Sequence, residues 1–90
     1  MLTKYPTDEL LNAYGSLIYT VGDKKAGINY VEQAILRNPA NPNIWLNRIE
    51  LEKGLGSSQR TIVALYNRAL KSTNYHLNII VSYASYMGQK

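Results

Sequence analysis

Groups able to do chemistry are few in this 90-residue sequence, and their spacing works against catalysis. General acid–base or nucleophilic work needs several polar groups converging in one pocket. The single histidine, His76, falls at the start of the last apolar segment, where it reads as an exposed or capping residue. Glu50 and Glu52 stand two apart, so on a helix their side chains diverge and form no carboxylate dyad. Cysteine is absent, which removes disulfide frameworks, thiolate metal sites and thiol nucleophiles together and fits a reducing compartment. One histidine and dispersed acids give no metal-ligand cluster. Gly54 and Gly56 lack the Lys-Ser/Thr and the strand–helix context of a phosphate loop and read as a turn. The expectation is a chain that is not an enzyme and takes no cofactor and no metal.

Eight tyrosines accompany no phenylalanine, and aromatic rings beside cations can stack nucleic-acid bases. Tyr14, Tyr66 and Tyr83 fall on core-like positions, however. Tyr5, Tyr19, Tyr30, Tyr75 and Tyr86 are less constrained. The net charge is +4, but the cations are scattered, and Lys24-Lys25 is their only adjacent pair. A nucleic-acid groove needs a clustered stripe, so the surface reads as solvated and mildly basic. Direct RNA contact through Lys24, Lys25, Arg60 and Lys71 is an alternative that the scattering disfavours. The run Ile79-Ile80-Val81 is too short to span a bilayer, and residues 1–9 hold no apolar core of signal-peptide length. A soluble, intracellular chain is expected.

The elements that must position these residues are helices. Leu10, Leu11, Tyr14, Leu17, Ile18 and Val21 recur at three- and four-residue steps, with Thr7 or Asp8 as cap and Gly22-Asp23 as stop. A second helix starts near Lys24 with Ile28, Val31, Ala34 and Ile35 and ends at the proline-containing stretch 38–42, since proline cannot continue the ladder. Asn43 is expected to cap a third helix, with Ile44, Trp45, Ile49 and Leu51 apolar. Residues 54–58 form a turn, and Ser57 or Ser58 caps a fourth helix with Ile62, Leu65, Tyr66, Ala69 and Leu70 inward. After a break at 72–75, the fifth helix offers Leu77, Ile80, Val81, Ala84 and Met87. No segment reads as a strand.

The order repeats. Leu11 and Trp45 are 34 residues apart, and Ala34 and Ala69 are 35 apart. Periods of this length mark helical repeats. Repeat one covers about 8–40, repeat two about 42–74, and the first helix of a third about 76–88. Gly15, mid-helix, marks a close approach of a neighbouring helix. Trp45 and Tyr66 can fill the space between layers. The fold class is all-α, about five helices in antiparallel pairs.

The first unit resembles a tetratricopeptide repeat through Leu11, Tyr14, Gly15 and Ile18, then Gly27, Val31, Ala34 and Pro39. The second is similar to the half-a-tetratricopeptide (HAT) variant of RNA-processing factors. Trp45, Leu51 and Glu52 fit its first helix, although Arg48 replaces an aromatic residue. Arg60, Ile62, Tyr66, Arg68, Ala69 and Leu70 fit its second, and Tyr83, Ala84 and Tyr86 resemble the start of a third. The likeness spans about 9–87. It implies a superhelical stack, an α-solenoid, with a Glu52–Arg68 pair near the inter-helix contact. It also implies a non-catalytic protein–protein interaction scaffold in a splicing, pre-rRNA or 3′-end processing complex, in the nucleus. A generic tetratricopeptide adaptor of the cytoplasm, binding a peptide or helix, is the alternative. A carboxylate clamp is disfavoured. Asn47 fits it, but Asn12 stands where its first lysine belongs, and Leu77 or Asn78 and Val81 or Ser82 replace its final basic pair, leaving too little charge to select a carboxylate.

On this reading a partner docks on the concave first-helix side at Asn12, Ser16, Tyr19, Asn47, Arg48, Asn78 and Ser82. The last helix carries apolar residues on more than one face, and solenoid ends normally carry a polar cap. Leu77, Ile80, Val81, Ala84 and Met87 are therefore expected to form an end interface, with a second copy, with a partner, or with further repeats of a longer solenoid.

Overall fold

The computed structural model describes residues 8–88, and Tyr5 and Thr7 lie outside them. Five helices follow one another: α1 (Asp8–Thr20), α2 (Lys24–Arg37), α3 (Pro42–Gly54), α4 (Gln59–Ser72) and α5 (Leu77–Met87). Among the described residues there is no strand. The molecule is a flattened body of 43 × 29 × 16 Å.

The helix starts are set by side-chain oxygens and nitrogens that satisfy otherwise unpaired N–H groups. The Asp23 carboxylate accepts from Ala26 N at 3.1 Å, and Ser58 Oγ accepts from Thr61 N at 3.4 Å. His76 Nδ1 accepts from Asn78 N at 3.1 Å. The cap of α3 is Asn41, not the expected Asn43. Its side chain accepts from Asn43 N at 2.9 Å, and Pro42 takes the first helical position. A proline there has its φ preset and lacks only an N–H that would be unpaired anyway, so the helix begins two residues early. Asn74 and Tyr75 turn the chain from α4 into α5 at φ 57° and 59°. Tyr75 N donates to Leu70 O at 2.6 Å across that turn.

α1 touches α2 and α3; α3 also touches α2, α4 and α5; and α5 touches α3 and α4. The helix pair α1/α2 is clasped by two glycines. A Cβ on Gly15 would lie 2.6 Å from Gly27 O, and one on Gly27 would lie 2.5 Å from Gly15 O. Only a backbone without side chains can approach that closely.

The core runs through α2, α3 and α4, with Leu11 from α1 and Ile79 from α5. Trp45 and Tyr66 are buried with their polar atoms satisfied: Trp45 Nε1 donates to Pro39 O at 2.7 Å, and Tyr66 Oη lies 2.8 Å from Ser82 Oγ. Two helices present other faces than the sequence reading gave. In α1, Leu10, Tyr14 and Leu17 are exposed, as is Val21 just after it, while Leu11 and Gly15 are buried. Tyr14 is not a core residue; its ring meets Tyr30 edge-on at 4.7 Å. In α5 the buried residue is Ile79, flanked by half-buried Tyr83 and Tyr86. Leu77, Ile80, Val81, Ala84 and Met87 are exposed. Both helices are apolar over so much of their circumference that periodicity alone does not select the inward side.

Candidate functional site

α3 is in contact with both α1 and α5. Asn12, Ser16 and Asn47 come together there: Asn47 Nδ2 donates to Asn12 Oδ1 at 2.7 Å and to Ser16 Oγ at 2.8 Å. Tyr19 Oη donates to Leu51 O at 2.9 Å, and the Lys24 ammonium lies 4.4 Å from the Tyr19 ring centre. These four residues lock α1 to α3. Their hydrogen-bonding capacity is already spent in part on the fold.

Arg48 does not join them. Its side chain is only 12% exposed and is held by Glu32 of α2 at 2.6 Å and Glu52 at 2.5 Å. Ser57 Oγ donates to the other Glu52 oxygen. The Glu52–Arg68 pair implied by the family likeness is therefore not formed. Arg48, one helical turn before Glu52, takes the carboxylate instead. Arg68 lies 3.9 Å from Glu32 and over the Trp45 ring at 5.1 Å. Burial pushes the Glu52 carboxyl up, but the hydrogen bonds from Ser57 and Arg48 and the Arg48 charge outweigh it and leave its pKa below the ordinary value.

Between α3 and α5 an open groove of about 540 Å³ is left unfilled. Leu46, Leu77 and Val81 supply its apolar surface, and Asn78, Ser82 and Ser85 its hydrogen-bonding groups. Glu50 and Lys53 stand at one wall, joined at 3.1 Å. The Lys53 ammonium also lies 5.0 Å from the Tyr86 ring centre. Burial lowers the Lys53 pKa, but the partners Glu50 and Tyr66 prevail and raise it, so it stays a cation at neutral pH. Of the residues expected on this side, Asn78 and Ser82 line the groove. Leu46, Ser85 and the Glu50–Lys53 pair were not singled out. Nothing in their spacing marks them, because the groove depends on how α5 sits against α3.

The end-face residues divide between two surfaces. Leu77 and Val81 belong to the groove, whereas Ile80, Ala84 and Met87 point elsewhere and are exposed. Gln59 Nε2 lies 3.9 Å from Met87 Sδ. The groove pairs apolar surface with amide and hydroxyl groups beside one ion pair, Glu50–Lys53. Among the described residues no group of three or more His, Cys, Asp or Glu could hold a metal ion, and no helix is long and apolar enough to cross a membrane. Set against known proteins, the chain matches no family model, no curated protein and no solved structure.

Proposed function

We propose that the chain is a non-catalytic scaffold that docks a segment of a protein partner in the groove between α3 and α5. The groove itself carries the reading. A mixed lining of aliphatic side chains, amides and hydroxyls suits a peptide, whose backbone needs hydrogen bonds and whose side chains need apolar contact. The order of helix contacts supports a short α-solenoid of tetratricopeptide type, since each first helix rests on the preceding pair. The likeness of Arg60, Ile62, Tyr66, Arg68, Ala69 and Leu70 to HAT second helices favours a partner within an RNA-processing assembly of the nucleus. The Arg48 ion pairs, where that variant has an aromatic residue, favour the alternative of a generic adaptor.

Selection of peptides from a displayed random library against the full chain tests this. Val81→Glu places a charge in the groove and is expected to abolish capture of the selected peptides. Capture unaffected by that substitution, or a selection that enriches no sequence, contradicts the proposal. The exposure of Ile80, Ala84 and Met87 favours a second reading, self-association through the outer side of α5.

A further inference from the structure

Sorting the charges by helix separates them. α2 and α4 carry Lys24, Lys25, Arg37, Arg60, Arg68 and Lys71 against one carboxylate, Glu32. α1 and α3 carry four carboxylates and two cations, and α5 carries no charge. Glu32 is shared between Arg48 of α3 at 2.6 Å and Arg68 of α4 at 3.9 Å and pairs with none of the other five cations of α2 and α4. Among the described residues Lys25, Arg37, Arg60 and Lys71 are exposed and make no ion pair. The Arg68–Glu32 approach joins α4 to α2, whose backbones make no contact with one another, and each of the two helices carries an exposed basic side. No residue lining the groove belongs to α2 or α4.

The two sides share a register. Lys25 and Arg60 are each the second residue of their helix and stand one repeat, 35 residues, apart. Lys25, Asn29, Gln33 and Leu36 follow at helical spacing along the outer side of α2, all exposed. Arg60, Ala64, Asn67 and Lys71 do the same on α4. Leu36 is 81% exposed, the most open of the large apolar side chains among the described residues.

These groups specify a ligand chemistry. Cations with few compensating acids attract a polyanion. Side-chain amides between the cations can pair with peptide N–H and C=O groups. The open leucine asks for an aliphatic contact. Single-stranded nucleic acid needs aromatic rings for its bases. On α2 and α4 the rings are spoken for: Tyr66 is buried, and Tyr30 is half-buried against Tyr14. We infer that the outer face of α2 and α4 is a second docking surface, and that its partner is an acidic polypeptide segment with aliphatic residues among its carboxylates.

Fluorescence anisotropy with the full chain tests this with three labelled probes: a short Glu/Leu peptide, a single-stranded RNA and an RNA duplex. The peptide is expected to bind at low salt and to weaken as salt rises. The charge reversals K25E and R60E together are expected to weaken it at least about tenfold, while peptides selected for the groove still bind. Leu36→Ser is expected to erase the preference for Glu/Leu over Glu/Ser peptides. Helical circular dichroism checks that the double variant folds; if it does not, R60Q with K71Q is read in its place. Absence of peptide binding at low salt overturns the inference, as does peptide binding indifferent to the charge changes. Tighter binding of either RNA, lost on the same reversals, overturns it in favour of a nucleic-acid surface. Because the groove peptides are measured alongside, failure of this face is distinguishable from failure of the groove.

Discussion

At Gly27 one added carbon would lie 2.5 Å from the Gly15 carbonyl oxygen and 2.6 Å from Tyr19 N. Both obstacles are backbone, so neither can swing aside. Alanine improves helix propensity by about 1 kcal/mol, but overpacking of this kind costs more. Gly27→Ala is expected to destabilise the fold by a net amount of about 2 kcal/mol, lowering Tm by roughly 10 °C; an unchanged Tm would remove the glycine clasp from the account. Gly15 could be read from sequence as a close approach, because a mid-helix glycine needs a reason. The Arg48–Glu32 pair could not, because it depends on how α2 and α3 cross. Glu52 adds a pH dependence. Its folded-state pKa is depressed, so the stability it contributes is complete above the ordinary carboxylate range and is lost as pH falls through the folded value. Denaturant titrations from neutral to acid pH should show that loss, and Glu52→Gln should flatten the acid limb.

Helices as elements were legible where apolar residues recur at three- and four-residue steps, as Ile62, Leu65, Tyr66, Ala69 and Leu70 do in α4. The apolar residues named for α3, Ile44, Trp45, Ile49 and Leu51, are all buried. Boundaries were less so. Asn41 and Asn43 are the same residue type on either side of Pro42, and only the proline's preference for the first helical position separates them. Asn41→Ala is expected to cost about 1 kcal/mol in thermal or urea unfolding, and Asn43→Ala only a few tenths. Equal losses would return the cap to Asn43. For α5 the sequence offers apolar residues nearly all round; in the fold Ile79 is buried and Ser82 meets Tyr66 of α4 at 2.8 Å. A helix whose inner and outer faces are both apolar is the reason to expect association. Sedimentation velocity should show mass rising with concentration, and Ile80→Glu should hold the chain monomeric; a wild-type chain monomeric throughout would leave α5 without that role.

For the whole molecule, the helical periods foretold an all-α chain of five helices, and the structure has five among the described residues. They did not foretell that Asn12, Ser16 and Asn47 would spend hydrogen bonds on one another. Nor did they show that open space would fall between α3 and α5. Both depend on inter-helix distances that no local pattern encodes. Charge behaved likewise: that Arg68 of α4 would reach Glu32 of α2 at 3.9 Å was not readable from their spacing. The most direct test of the docking account is to add a library-selected peptide to the isotopically labelled chain and follow the backbone amides by NMR. The account predicts shifts concentrated at Leu46, Asn78, Val81, Ser82 and Ser85. Shifts confined to α2 and α4, or to the outer side of α1, would contradict it.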